Sequence, residues 1–293
     1  MPQSLRGARQ LFRRQCSKFL QPTAPLLYLI ASAVSYSYMT ALITGASGGI
    51  GEELARIFAA HKHDLVLVAR TEDKLQSLSG ELSRAHGIQS RVLAADLTDP
   101  AAPPRLFQAL QDQRVTIDML VNNAGFGMRG AYADIDYEIE ARMIQLNVTA
   151  LAHLTRLFLP GMLERRTGKV LNVASTAAFV PGPFMAVYYA SKAFVLSFSE
   201  ALAEETQGTG VTVTALCPGP TQTNFAVTAG NQDSSLFRAG AVMDARTVAQ
   251  VGYDGMMAGR RVVVPGWSNR MTIFSTRLAP RTMLARITRK LNS

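Results

Sequence analysis

Tyr188 and Lys192 are the residues of this chain best placed to do chemistry together. They stand four apart in Tyr188-Tyr189-Ala190-Ser191-Lys192, so on a helix both side chains share one face. A phenol with a pKa near 10 is a poor acid–base catalyst at neutral pH, and a nearby ammonium favours its phenolate. Hydride transfer to a carbonyl leaves an alkoxide that needs a proton, and a tuned tyrosine fits as its general acid. Tyr189 is a competing phenol, but only Tyr188 has a lysine at i+4. Alone the pair is a weak signal, because Tyr-x-x-x-Lys arises often by chance on helices. Ser175, at the end of Asn172-Val173-Ala174-Ser175, adds a hydroxyl that can donate to a developing oxyanion. Asn147 is a polar residue in the apolar Leu146-Asn147-Val148, where an asparagine can also bend a helix or make a core hydrogen bond.

A second constellation lies far upstream, in Leu42-Ile43-Thr44-Gly45-Ala46-Ser47-Gly48-Gly49-Ile50-Gly51. An apolar run meets glycines and then a helical pattern, which is how a buried strand, a tight turn and a helix N-terminus look in sequence. Glycines let the backbone approach a ligand, and the first helical N–H groups with the helix dipole suit a phosphate. Thr44, Gly45, Ser47, Gly49, Ile50 and Gly51 are the residues such a turn presents. Any strand-to-helix connection can carry glycines, so the stretch by itself does not settle the matter. At the end of the second apolar run stands Arg70, where a dinucleotide fold selecting NAD usually has an acid. An arginine there can pair with the 2′-phosphate of NADP, or be a solvated strand end. Asp96 follows the third run and suits either an adenine amino group or a helix cap or turn.

The elements that position these residues alternate strand and helix from Met39 onward. Strands are expected at Met39–Ile43, Leu65–Ala69, Val92–Ala95, Met119–Val121, Lys169–Val173, Val211–Leu216 and Arg261–Val264. Helices are expected over 52–60, 71–84, a long stretch reaching Arg166, 188–206 and 245–257, with Asp99-Pro100 capping one after the third strand. This alternation implies an α/β fold, a single doubly wound parallel sheet of Rossmann type with helices on both faces. Ligands in such sheets bind beyond the carboxyl ends of the strands, which is where these residues fall. We divide the chain into an N-terminal leader or extension over 1–38, a dinucleotide-binding catalytic domain over 39–279 and a basic amphipathic helix over 280–293.

With 293 residues, nearly half of them hydrophobic, the chain can bury a sizeable core. Cys16 and Cys217 form no disulfide framework or metal-ligand spacing, and the scattered His61, His63, His86 and His153 read as surface or structural residues. The net charge of +9 sits at the ends: residues 1–38 hold five basic residues and 260–293 hold eight, neither with any acid. The remaining body has 17 basic against 21 acidic residues, so no basic core points to nucleic acid. The leader resembles a transit or signal segment, or is translation upstream of Met39, which opens the first strand directly. In Arg281–Leu291 the residues Met283, Leu284, Ile287 and Leu291 share one arc with the basic residues outside it. Such a helix either lies in a membrane interface or packs its stripe on the domain or across subunits.

Taken together, Thr44-Gly45-x-x-x-Gly49-x-Gly51, Asn122-Asn123-Ala124-Gly125, Asn147, Ser175, Tyr188-x-x-x-Lys192 and Pro218-Gly219 resemble the short-chain dehydrogenase/reductase family in content and order. The resemblance runs from Met39 to about Phe225, and the Thr-Gly-x-x-Gly-x-x-Gly pattern of the family's other large branch is absent. It implies Tyr188 as acid/base and Ser175 as the donor that orients the carbonyl. It implies that Lys192 binds the nicotinamide ribose and lowers the tyrosine pKa, and that Asn147 holds a water in a proton relay. Asn123 and Gly125 would line the cofactor, with Pro218 and Gly219 leading to Thr223 at the nicotinamide carboxamide. Phe184-Met185-Ala186-Val187 and Val264-Pro265-Gly266 resemble a subgroup of bacterial-type reductases similar to beta-ketoacyl and hydroxysteroid reductases.

The resulting expectation is an NADP(H)-dependent oxidoreductase acting on a carbonyl or alcohol. Phe225, Ala226, Val227, Leu236 and Phe237 between Thr223 and Asp244 suggest an apolar small-molecule substrate. The alternatives are a non-enzymatic NADP-binding protein or a membrane-surface interaction protein on the same fold. We expect a homodimer or homotetramer, no metal, and a cytoplasmic location with a membrane-peripheral variant, or an organelle if the leader is a transit peptide.

Overall fold

A computed structural model describes residues 39–231 and 242–293. The expectations for the 1–38 leader and for Leu236 and Phe237 lie outside these residues. Seven strands form one parallel sheet: β1 (Thr40–Thr44), β2 (Asp64–Ala69), β3 (Ser90–Ala94), β4 (Met119–Asn122), β5 (Gly168–Val173), β6 (Val211–Leu216) and, numbered ninth in the chain, β9 (Val262–Val263). Their order is β3-β2-β1-β4-β5-β6-β9. Parallel pairing with helical crossovers buries both faces, and β1 is buried at every position. Its side chains alternate between two cores: Ala41 and Ile43 join Leu65, Leu67 and Met119 on one face, while Leu42 joins Val66, Val68 and Leu120 on the other.

Helices α1 (Gly49–Ala60), α2 (Glu72–His86) and α8 (Ala245–Met257) cover the first face. Helices α3 (Ala102–Asp112), α5 (Leu151–Glu164) and α6 (Ala186–Glu205) cover the second. Phe58 and Leu54 of α1 are fully buried, each contributing roughly 1.5–3 kcal/mol. After β3 the chain crosses from one side of β1 to the other, so the connections leaving β1 and β4 run to opposite faces of the sheet. That divergence is the crevice where open α/β sheets hold ligands.

Three local expectations are corrected. Helix α3 starts at Ala102 with Pro103 in its first turn, not at Asp99-Pro100. Asp99 instead bonds the Ala101 N–H (2.9 Å) and Arg105, closing the turn before the helix. The long helix is three pieces: α4 (Tyr137–Ile144), a wider π-helical stretch Gln145–Ala150, and α5. The last strand spans Val262–Val263 only, shorter than Arg261–Val264, because few ladder bonds to β6 form at this sheet edge. A two-stranded ribbon, β7 (Thr221–Gln222) with β8 (Met243–Asp244), the short α7 (Phe225–Thr228) and helix α9 (Trp267–Thr276) were not foreseen. Helix α10 (Arg281–Asn292) lies where an amphipathic helix was expected.

Candidate active site

The glycine turn follows from contacts no side chain would tolerate. A Cβ on Gly51 would lie 2.2 Å from the Gly45 carbonyl oxygen and 2.4 Å from Nδ2 of Asn123. Gly45 and Gly49 have φ of +67° and +58°, conformations L side chains rarely adopt. Nothing lies within 4 Å of a Cβ built on Gly48, and no side chain caps the N-terminus of α1. Among the described residues the turn therefore presents open space and N–H groups without a partner at Gly49, Ile50 and Gly51, with Ser47 in the turn before them. Such a cradle fits the pyrophosphate of a dinucleotide.

Thr44 pins the turn to the end of β4. Its hydroxyl donates to the Val121 carbonyl (3.2 Å) and accepts from the N–H groups of Asn123 and Ala124 (both 3.0 Å). The Asn123 amide donates to the Thr44 carbonyl (2.9 Å). Thr223 stands over the cradle, its Cγ2 3.0 Å from a Cβ built on Gly49.

Arg70 and Asp96 sit together, exposed, at the ends of β2 and β3. Burial pushes the Asp96 carboxyl up, but bonds from the Thr98 N–H (2.9 Å) and hydroxyl (2.8 Å), with the charges of Arg70 and Arg142, hold it below its ordinary value. Asp96 thus makes a turn with Thr98 and remains ionised beside two guanidinium groups.

Helix α6 brings Tyr188 and Lys192 onto one buried face, the Lys192 ammonium nitrogen 5.9 Å from the Tyr188 ring centroid. Lys192 donates to the Val173 carbonyl at the end of β5 (2.8 Å), and burial lowers its pKa to about 8. Burial also pushes the Tyr188 phenol well above its ordinary value, with the adjacent Ser175 hydroxyl drawing it partly back. The amine faces a backbone carbonyl and the π-face of the ring, and burial is the largest influence on the phenol. Ser175 follows β5 and accepts from the Ala177 N–H (3.1 Å) while donating to the Pro218 carbonyl (3.4 Å). Gly219, beside it, packs against Asn269 of α9, which would be 2.6 Å from a Cβ there.

Asn147 sits in the π-helical stretch, buried, and its amide is fully engaged. It accepts from the Phe126 N–H (3.1 Å) and donates to the Phe126 carbonyl (2.9 Å) and the Ser191 hydroxyl (3.1 Å). Gly125 lies between it and the lysine: a Cβ there would be 2.9 Å from Asn147 Oδ1 and 3.4 Å from Lys192 Nζ. The structure thus gathers Asn147, Ser175, Tyr188, Lys192, Gly125 and Pro218 at one crevice, with Thr44, Gly45, Gly51 and Asn123 at its side.

Phe225 packs 5.2 Å from the Tyr188 ring, and Met185, Met143 and Phe126 complete an apolar wall. Val227, expected at this wall, is exposed instead, because it lies on the outer side of the short α7.

Sequence reasoning missed Ser191, whose hydroxyl joins Asn147 to the Tyr188 carbonyl (2.7 Å). Its position three residues after Tyr188 was the available signal. It also missed a buried ladder behind the site, in which the Asn122 amide donates to Thr155 (3.0 Å) and Asn172 (2.9 Å) and Asn172 donates to Ser199 (2.9 Å). Asn292 was missed as well, with no local signal at all: its amide donates to the Pro183 carbonyl (2.9 Å) and accepts from the Tyr189 hydroxyl (3.2 Å), far upstream in the chain.

Residues 39–234 match the family model described as short chain dehydrogenase. A short chain dehydrogenase of Pseudocercospora fijiensis is 37% identical over 188 residues, covering 64% of this chain and 60% of that protein. The chain therefore spans less than two thirds of that relative's length. Dehydrogenase/reductase SDR family member 7B of Rattus norvegicus is 30% identical over 279 residues, covering 90% of this chain and 82% of its own. The solved structure of a short-chain dehydrogenase from Sphingobium yanoikuyae in complex with NADPH is 33% identical, with a TM-score of 0.74 over 82% of this chain and 93% of that one.

Proposed function

The chain belongs to the short-chain dehydrogenase/reductase family, and from that premise we propose that it is an NADP(H)-dependent oxidoreductase interconverting a carbonyl and an alcohol on an apolar small molecule. The observation that carries this reading is the convergence of Tyr188, Lys192 and Ser175 on one crevice walled by Phe225 and Met185. When bound, the nicotinamide supplies or accepts the hydride. Everything else falls to the protein's own groups.

In the direction of reduction, Ser175 turns its hydroxyl from the Pro218 carbonyl toward the substrate oxygen and stabilises negative charge there. Tyr188 then gives that oxygen its phenolic proton. Burial keeps the phenol protonated until that moment. The Lys192 ammonium stabilises the phenolate left behind, and a pKa of about 8 lets the amine pass a proton onward near neutral pH. Asn147 fixes Phe126 and Ser191, and through Ser191 the backbone of Tyr188. At the other end of the crevice, Gly49–Gly51 would hold the pyrophosphate and Arg70 the 2′-phosphate, with Asp96 beside the adenosine. Asn123, Gly125, Gly219 and Thr223 would line the remainder.

A non-enzymatic NADP-binding role is disfavoured by the retention of all three reacting side chains. Assembly as a homodimer or homotetramer is supported by the outer faces of the long helices, where Phe194 stacks on Phe198 (5.6 Å) and Ile144 is exposed. The setting we propose is the cytoplasm, with membrane contact at the basic C-terminal region. The deciding experiment is NADPH oxidation across a panel of ketones, aldehydes, quinones and ketoacyl thioesters. Turnover that Tyr188→Phe abolishes supports the reading; tight NADPH binding without turnover of any of them favours the non-enzymatic alternative.

A further inference from the structure

Helix α9 turns its largest apolar residues away from the protein. At about 100° per residue, Asn269, Ile273 and Thr276 fall on one side, the only partly or fully covered side of the helix after Trp267. Ile273 is buried, and the Asn269 amide donates to the Pro265 carbonyl (2.8 Å). On the opposite side Trp267, Met271 and Phe274, with Leu278 one turn further, fall within an arc of roughly 60°. They are 74%, 46%, 57% and 78% exposed. A surface helix ordinarily carries polar residues there. Arg270 and Arg277 border the stripe, and α10 adds exposed Met283 and Ile287 among Arg281, Arg286, Arg289 and Lys290.

We infer that α9 is a membrane-contacting face that seats at the headgroup boundary of an anionic bilayer. Trp267, Met271, Phe274 and Leu278 enter the edge of the acyl region, and the basic residues meet the lipid phosphates. Charge selects this occupant. Residues 260–293 hold eight basic residues and no acid, so a two-fold contact between copies would press the same cationic patch against itself, whereas an anionic surface complements it. Helix α10 plays the lesser part, because its Thr288 and Asn292 face the domain and are buried there. Helix α9 packs against the turn Thr176–Phe179 that follows Ser175, and Asn269 abuts Gly219. The bilayer would therefore lie beside the catalytic crevice, within reach of an apolar substrate dissolved in it. The membrane contact itself does not depend on the reaction assigned above.

Trp267 is the single tryptophan of the chain, so its fluorescence reports on this face alone. The full-length protein is titrated with phosphatidylcholine vesicles holding about one-third phosphatidylserine, with and without brominated acyl chains. The expected result is a blue-shifted, bromine-quenched emission that weakens as salt rises from about 0.05 to about 0.5 M and is much reduced on phosphatidylcholine alone. Phe274→Ser/Leu278→Ser keeps the tryptophan and alters exposed positions only; it should need at least about tenfold more lipid for the same shift. Sedimentation with vesicles while the emission stays unchanged and unquenched overturns the inference, since binding then lies elsewhere. No association with either vesicle at low salt overturns it too. An emission already blue-shifted without lipid, in a particle of twice the chain mass that the double variant splits, assigns the face to a second copy instead.

Discussion

The hydroxyl of Tyr189 donates to Oδ1 of Asn292 at 3.2 Å, tying helix α6, which carries Tyr188, to the C-terminal helix α10. The two adjacent phenols are thereby separated in role: Tyr188 faces Ser175 and the apolar wall, Tyr189 faces the tail. Tyr188→Phe should leave NADPH binding intact and lower turnover by about 10²–10⁴, the range of a lost general acid. Tyr189→Phe should lower stability by about 1 kcal/mol, one hydrogen bond's worth, and change kcat little. Steady-state kinetics and thermal melts on the two variants decide it, and an exchange of phenotypes would refute the assignment.

The proposed pairing of Arg70 with a 2′-phosphate makes the cofactor preference testable. Arg70→Ala should weaken NADPH binding about ten- to a hundredfold and NADH binding far less, because a charge-assisted hydrogen bond is worth roughly 1.5–3 kcal/mol. Fluorescence titration with both cofactors measures this. Equal losses would place the 2′-phosphate elsewhere, with Arg142 the next candidate because it also neighbours Asp96.

The main sheet and the placement of Tyr188 and Lys192 on one buried helical face were legible because both are written in short spacings. Apolar runs such as Leu65–Ala69 can only be strands covered on both faces, and Tyr188 and Lys192 are paired by one helical turn. What stayed hidden depends on tertiary environment. Burial is the largest influence raising the Tyr188 pKa, and no spacing reports on burial depth. Asn147 did mark an irregularity, and the helix widens there, but its partners Phe126 and Ser191 come from other segments. Helix α9 escaped notice because its apolar stripe faces outward and its buried side is mostly polar, the reverse of the usual pattern.

Gly51→Ala should be among the most damaging single-methyl changes in the chain. The added Cβ would meet the Gly45 carbonyl oxygen at 2.2 Å, a backbone atom that cannot rotate aside. Either the turn opens and the Asn123 bonds to Thr44 and Gly45 break, or α1 shifts against β1. Overpacking of this kind costs about 1–3 kcal/mol or more, and cofactor affinity should fall with it. Gly48→Ala, with open space around its Cβ, is the control and should melt near the parent. Comparable melts for both variants would show the turn to be more compliant than its contacts imply.

Lys192 gives a pH dependence whose direction can be worked out. Its folded pKa, about 8, lies below the value near 10.5 of an unfolded lysine. Between those values the unfolded chain binds the extra proton, so stability rises with pH across that window. Below pH 8 the buried ammonium destabilises the free protein by about 3 kcal/mol, from the shift at 1.36 kcal/mol per pKa unit. Lys192→Met should therefore raise the melting temperature of the cofactor-free protein at pH 7 while abolishing turnover. The advantage should shrink as pH rises from about 8 toward 10.5, and only above that is the parent's amine neutral in both states. Loss of the bond to Val173 subtracts about 1 kcal/mol at every pH and does not change the slope. A variant less stable than the parent at pH 7 would mean that the ammonium is better solvated than its burial implies.

Removal of α10 separates the chemistry from the shape of the substrate mouth. Asn292 holds three upstream groups: the Tyr189 hydroxyl, the Pro183 carbonyl and, through its own carbonyl, the Arg129 guanidinium. Pro183 leads into Phe184, which sits at a φ of +66°, a conformation a bulky residue keeps only when its surroundings impose it. Arg289 over the Phe184 ring (5.5 Å to the centroid) is one of those surroundings, and it too belongs to α10. Met185, next in the chain, is part of the apolar wall beside Tyr188. Ending the chain at Ala279 should therefore let 183–185 relax, since none of these supports remains. Among the described residues the cradle at Gly49–Gly51 meets Gly45, Asn123 and Thr223, none of them on α10, so NADPH affinity should stay within about twofold of the parent, well under the 1.4 kcal/mol of a tenfold change. KM for a bulky apolar ketone should rise about tenfold or more, while a small ketone that does not touch the wall should be turned over almost as before. Asn292→Ala in the intact chain should reproduce part of this change, which distinguishes the lost hydrogen bonds from the lost helix. If the truncated protein treats large and small ketones alike, or loses NADPH binding along with them, α10 supports the whole fold and has no particular hold on the substrate mouth.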